Sequence, residues 1–116
     1  MEKDERLEYM TTVLKALAHP TRLLIVEELA ESEQCVQELQ SKIDANMSTV
    51  SKHLKILKDA GIVDSRKELN QVYYRLIYPC VHNIFNCIVN AKENKTPCGG
   101  NNEWEIEKLS VIIHVQ

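Results

Sequence analysis

The chain lacks what several protein classes require. Its three glycines form no glycine-rich phosphate loop, which removes the nucleotide-cradling motifs. Its four cysteines include no Cys-x-x-Cys pair, and no nucleophile stands at a catalytic spacing from a base; an enzyme such as a thiol oxidoreductase is therefore not expected. No apolar run approaches membrane-spanning length, and the opening Met-Glu-Lys-Asp-Glu-Arg has no apolar signal core; both features predict a cytoplasmic chain. Positive charge is scarce too, with 14 Lys and Arg against 17 acids for a net charge of -3. What remains at 116 residues is a single-domain chain that buries about 65% of its unfolded surface.

Residues 46–60 are the most informative stretch. Val50, Leu54 and Leu57 recur at i, i+4 and i+7, so one helical face is anchored to a core. Met47, Ser48, Ser51, Lys52 and Lys55 point the other way. Short hydroxyls near the amino end approach base edges closely, while Lys52, Lys55 and Lys58 are placed to neutralise phosphates. Asn46 is the expected N-cap. An ordinary amphipathic surface helix has the same pattern, so the flanking segments decide.

Upstream, Val36, Leu39 and Ile43 share one face of a short helix, followed by the tight connection Asp-Ala-Asn (44–46). Two short helices so joined make a helix-turn-helix. Downstream, Gly61 ends the second helix and residues 62–67 read as a strand. The polar tip Glu-Leu-Asn-Gln (68–71) follows, with Asn70 expected to take the positive φ. Residues 72–77 then alternate, with Val72, Tyr74 and Leu76 inward and Tyr73 and Arg75 outward. A hairpin after a helix-turn-helix is a wing, from which Arg66, Lys67 and Gln71 reach the minor groove or flanking phosphates.

Charge follows the same division. Residues 1–34 hold eight acids against four Lys and Arg, whereas residues 42–75 hold seven Lys and Arg against four acids, a local net of +3. Cationic surface confined to the expected reading head is what a reader with modest phosphate contact requires.

Four segments in this order and spacing carry a family resemblance: Leu-Ala-His-Pro-Thr-Arg-Leu-Leu-Ile-Val (17–26), Ser-Thr-Val-Ser-Lys-His-Leu (48–54), Leu-Lys-Asp-Ala-Gly-Ile-Val (57–63) and Val-Tyr-Tyr-Arg-Leu (72–76). Over residues 7–90 the chain resembles the ArsR/SmtB repressors. The resemblance implies a mainly α fold with a β-hairpin wing, a dimeric winged helix-turn-helix. It also implies a homodimer that sits on double-stranded operator DNA until a metal, metalloid or oxidant reaches its sensing residues. The residues expected at DNA are Met47, Ser48, Ser51, Lys52, His53, Lys55, Arg66, Lys67 and Gln71. His53 lies nearest the buried stripe, so holding the helix against the wing is its alternative role.

The stripe Leu7, Met10, Leu14 and Leu17, and a second of Val81, Ile84, Phe85 and Ile88 after Pro79, exceed what one wing domain can cover. A two-fold dimer buries both. Its two reading heads predict a palindromic operator with half-sites about 34 Å, or a multiple of it, apart. Residues 1–92 then form the DNA-binding and dimerisation domain, and residues 93–116 a linker and tail.

Sensing rests on Cys35, Cys80, Cys87 and Cys98, which in a reducing cytosol are not expected to form structural disulfides. By the resemblance, Cys35 stands at the first position of the Cys-Val-Cys motif of arsenic and cadmium sensors, but Gln37 and Gln40 stand at the next two positions. An arsenite site built wholly on that helix cannot form, because As(III) takes three thiolates. Cys35 is then either packing or an additional ligand. The family's carboxylate and histidine zinc positions fall on Tyr78, Cys80, Ala91 and Asn94. Only Cys80 ligates among them, so a zinc site of that kind is not expected, and His82 and His114 stand alone.

Cys80 and Cys87 are separated by seven residues, about 10.5 Å of helical rise, too far to share one ion within a chain. If two copies of this helix pair antiparallel with the dyad between Asn83 and Ile84, Cys80 of one protomer faces Cys87 of the other. Cys98 lies in Thr-Pro-Cys-Gly-Gly-Asn-Asn (96–102), which reads as a flexible segment that supplies a third thiolate. Three soft sulfurs suit As(III); two would suit a methylated arsenical. The expected inducer is thus As(III) or another thiophilic metal or metalloid, with no cofactor required. Oxidation of the same thiols is the alternative. In the tail, Ile106, Leu109 and Ile113 fit a helix while residues 111–115 fit a strand, and Trp104 is a natural reporter there.

Overall fold

The computed structural model describes residues 1–93; the readings placed on Cys98, Trp104 and the tail lie outside them. The described residues divide into two units, residues 1–82 and the residues from 83 on. Within the first follow α1 (Lys3–Leu17), α2 (Pro20–Glu31), β1 (Gln34–Cys35), α3 (Val36–Lys42), α4 (Met47–Asp59), β2 (Val63–Glu68) and β3 (Gln71–Leu76); α5 (Val81–Lys92) begins there and runs into the second.

Local chemistry sets the helix ends. Pro20 occupies the first turn of α2, and His19 caps it, Nδ1 accepting the Thr21 N–H at 3.1 Å; a proline there sacrifices no intrahelical bond. The N-cap of α3 is Cys35, whose N–H donates to Glu38 Oε1 at 3.3 Å in a capping box. At the end of α4, Gly61 N–H donates to Lys58 O and Ile62 N–H to Leu57 O, both at 2.9 Å. With Gly61 at φ +78°, this is a Schellman motif.

The core of the first unit is formed by Ile25 and Val26 of α2, Leu39 of α3, Val50, Leu54 and Leu57 of α4, and Ile62, all at 0% exposure. The expected stripe of the recognition helix is thus fully buried.

The wing differs from the expected hairpin in three respects. It has a third strand: β1 pairs antiparallel with β3, in the order β1-β3-β2. Only two residues long, β1 carries too little periodicity to stand out in a sequence. Its Gln34 is buried with both ends of the side-chain amide hydrogen-bonded, Nε2 donating to Glu28 O at 2.8 Å and Oε1 accepting from Lys42 Nζ at 2.9 Å. Second, the Glu68–Gln71 register leaves a two-residue turn, and its positive φ, 55°, falls on Leu69, not Asn70. Both favoured two-residue turns require a positive φ at their first position, so geometry overrides residue preference. Third, of the inward set only Leu76 is buried; Tyr74 is half-buried and Val72 is 36% exposed. Val72 lies next to the tip, beyond the two residue pairs through which β1 borders the sheet.

Apolar residues also remain uncovered on α1, where Leu7 is 47% and Leu14 62% exposed. In the second unit Ile84 and Ile88 are exposed and Phe85 half-buried. Among the described residues no helix is long and apolar enough to cross a membrane.

Candidate nucleic-acid interface

The second helix of the helix-turn-helix, α4, is set by its cap. Asn46 Oδ1 accepts both the Thr49 N–H and the Ser48 hydroxyl at 2.8 Å. The bond satisfies an amide the helix leaves orphaned, and it holds Ser48 at the mouth of α4. Met47, Ser48, Ser51, Lys52 and Lys55 are all exposed, opposite the buried stripe.

The cations are not equivalent. Lys52 and Lys67 are exposed. Lys55 pairs with Asp59 one turn on, at 2.9 Å; such an exposed pair is weak and easily exchanged for a phosphate. Lys58 instead donates to Ser65 Oγ at 2.6 Å, joining α4 to β2.

Two of the residues expected at DNA make contacts within the protein. His53 is half-buried and tilted against His19, ring centroids 4.5 Å apart. It therefore packs α4 against the cap of α2. Burial, then the His19, Arg22 and Lys52 charges, lower its pKa, and its Nδ1 is buried without a hydrogen-bond partner. Arg66 is tied by Nε to Glu33 at 2.5 Å and by Nη1 to Glu68, and lies 4.9 Å over the Tyr73 ring. Periodicity could not find these contacts, because Glu33 and Arg66 are 33 residues apart. Gln71, at the start of β3, is exposed.

Of the thiols, Cys35 is buried at 4% exposure as the α3 cap. Cys80 is exposed, and Cys87, in the second unit, is half-buried. Among the described residues no three His, Cys, Asp or Glu side chains converge to hold a metal ion.

A short helix, a tight connection, an exposed capped helix and a small antiparallel sheet together define a winged helix-turn-helix domain. Residues 19–65 match the bacterial regulatory proteins of the arsR family. Over 73 residues the chain is 44% identical to the biofilm growth-associated repressor of Agrobacterium fabrum, covering 63% of this chain and 62% of that protein. Over 91 residues it is 38% identical to the HTH-type transcriptional repressor SmtB of Mycobacterium tuberculosis, covering 78% and 67%. A solved homodimeric winged helix-turn-helix DNA-binding domain from Mycobacterium bovis matches with a TM-score of 0.70 at 34% identity, covering 79% of this chain and 86% of that one. The chain belongs to the arsR family. These relatives are regulators of transcription, not enzymes, and the chain spans less than two thirds of the length of the Agrobacterium protein.

Proposed function

We propose that this protein is a homodimeric transcriptional repressor that reads a palindromic operator and releases it when its thiols take up a thiophilic metalloid or metal, arsenite before others. The observation that carries the DNA reading is α4: a capped helix with three apolar side chains at 0% exposure on one face and small polar and cationic side chains on the other. Ser48, Ser51 and Lys52 are the direct readers, with Met47 and Lys55 beside them and Lys67 and Gln71 on the wing. Uncovered apolar residues on α1 and, separately, on α5 support a second copy as their cover, since exposed patches of this kind mark interaction sites.

The inducer reading rests on donor chemistry. Cys80, Cys87 and Cys98 are soft ligands. Because no site of three ligands converges among the described residues of one chain, thiolate capture would draw on Cys98 or on the partner protomer. Such capture releases DNA only if it binds the DNA-incompetent dimer more tightly. Thiol oxidation is the second reading, supported by the exposure of Cys80, since accessible thiols oxidise first.

The test starts from duplexes selected out of a random pool by the reduced protein, followed by anisotropy of the labelled duplex during titration with arsenite, zinc or peroxide. Release by arsenite that is lost in Cys87→Ser and Cys98→Ser supports thiolate capture. Release by peroxide alone moves the assignment to oxidation, and failure to enrich any duplex refutes the DNA reading.

A further inference from the structure

In the sheet register Arg66 of β2 stands directly opposite Tyr73 of β3, and Tyr73 directly opposite Cys35 of β1. One row therefore crosses all three strands. Glu33 immediately precedes β1, so the chain delivers a carboxylate on the β1 side of the row, which the Arg66 guanidinium reaches across the Tyr73 ring. Glu68, two residues on along β2, takes a second edge of the guanidinium. The planar fork of arginine makes two directed bonds and a stacking contact at once, which a lysine cannot do.

Charge argues against Arg66 as a DNA contact. One guanidinium lies between two carboxylates, so the cluster has a net charge of -1 and offers a phosphate no net attraction. The geometry also gives the cluster something to hold. Strand β1 borders the wing over only two residue pairs, and the hairpin beyond them, at Lys67 through Val72, is exposed.

We propose that Arg66 is a positioning residue of the nucleic-acid interface: with Glu33 it fixes the wing to the α2–β1 connection and so sets where Lys67 and Gln71 meet DNA. The proposal rests on the DNA-binding reading above for its consequence, but not for its geometry.

The test compares Glu33→Gln, Arg66→Lys and Arg66→Ala in the full chain, by hydrogen exchange of the wing amides without DNA and by operator affinity across a salt series. Glu33→Gln removes a negative charge near DNA, yet it is expected to weaken operator binding by about fivefold and to speed wing exchange by a similar factor. Arg66→Lys keeps the charge and is expected to behave like Glu33→Gln, and Arg66→Ala to keep the wild-type salt slope. If Arg66 instead meets phosphate, Arg66→Lys resembles wild type, Glu33→Gln binds tighter, and Arg66→Ala lowers the slope by about two per dimer; any of these overturns the proposal. Unchanged wing exchange in Glu33→Gln overturns it without DNA, and so decides the matter even if the protein binds no duplex.

Discussion

Replacing Gly61 by alanine isolates the junction between the recognition helix and the wing. Gly61 sits at φ +78°, and a Cβ built there lies 3.5 Å from Tyr9 Oη and 3.9 Å from Tyr78 Oη. Those are ordinary contact distances, so the substitution has a conformational cost and no steric one. An L residue in the left-handed region costs about 1–2 kcal/mol, and the stiffer unfolded chain returns about half of that. The expected loss is about 1 kcal/mol, which with a urea slope of about 1–2 kcal/mol per molar lowers the midpoint by about 0.5–1 M at an unchanged slope. Asparagine tolerates this conformation better, so Gly61→Asn should fall between Ala and wild type. The assay is equilibrium urea denaturation at fixed protomer concentration, because a dimer's stability depends on it. Equal midpoints for Gly61→Ala and wild type, or an asparagine variant less stable than alanine, would refute the reasoning.

Three further outcomes are expected. Asn46→Ala removes the acceptor of the Thr49 N–H and the Ser48 hydroxyl; it should lower stability by about 1 kcal/mol and weaken operator binding more than a surface substitution elsewhere, read by denaturation and anisotropy. His53 has a pKa below its ordinary 6.5, from burial first and then the neighbouring His19, Arg22 and Lys52 charges. Its neutral form therefore contributes stability that is complete above pH 6.5 and is lost as pH falls through the depressed value. His53→Gln should flatten the stability profile on the acid side of pH 6.5, and an unaltered profile would contradict this. Leu14→Glu on the uncovered face of α1 should cost about 1.5 kcal/mol per copy in lost apolar burial, raising the dimer dissociation constant by about a hundredfold in sedimentation; an unaltered dimer would place the interface elsewhere.

The division between what was legible beforehand and what was not follows the range of the interactions. The i, i+4, i+7 recurrence of Val50, Leu54 and Leu57, the Asn46 cap, the Gly61 stop and the alternation of the wing are properties of neighbouring residues, set by helical and strand periods and by the four orphaned amides at a helix start. Sequence alone therefore determined the helix-turn-helix, the wing and the exposed face of α4. It also marked α1 and α5 as carrying more apolar surface than one protomer covers. The side-chain pairings were decided elsewhere. His53 meets His19, Arg66 meets Glu33, and Lys58 meets Ser65, so three positions with nitrogen-bearing side chains that look alike on a helical or strand projection become a packing contact, a clamp and a brace. Two-residue β1 is strand only because β3 offers it an edge. Leu69 has its positive φ because the register closes a two-residue turn there. These features depend on where distant segments lie once the core has formed, and no local period encodes that.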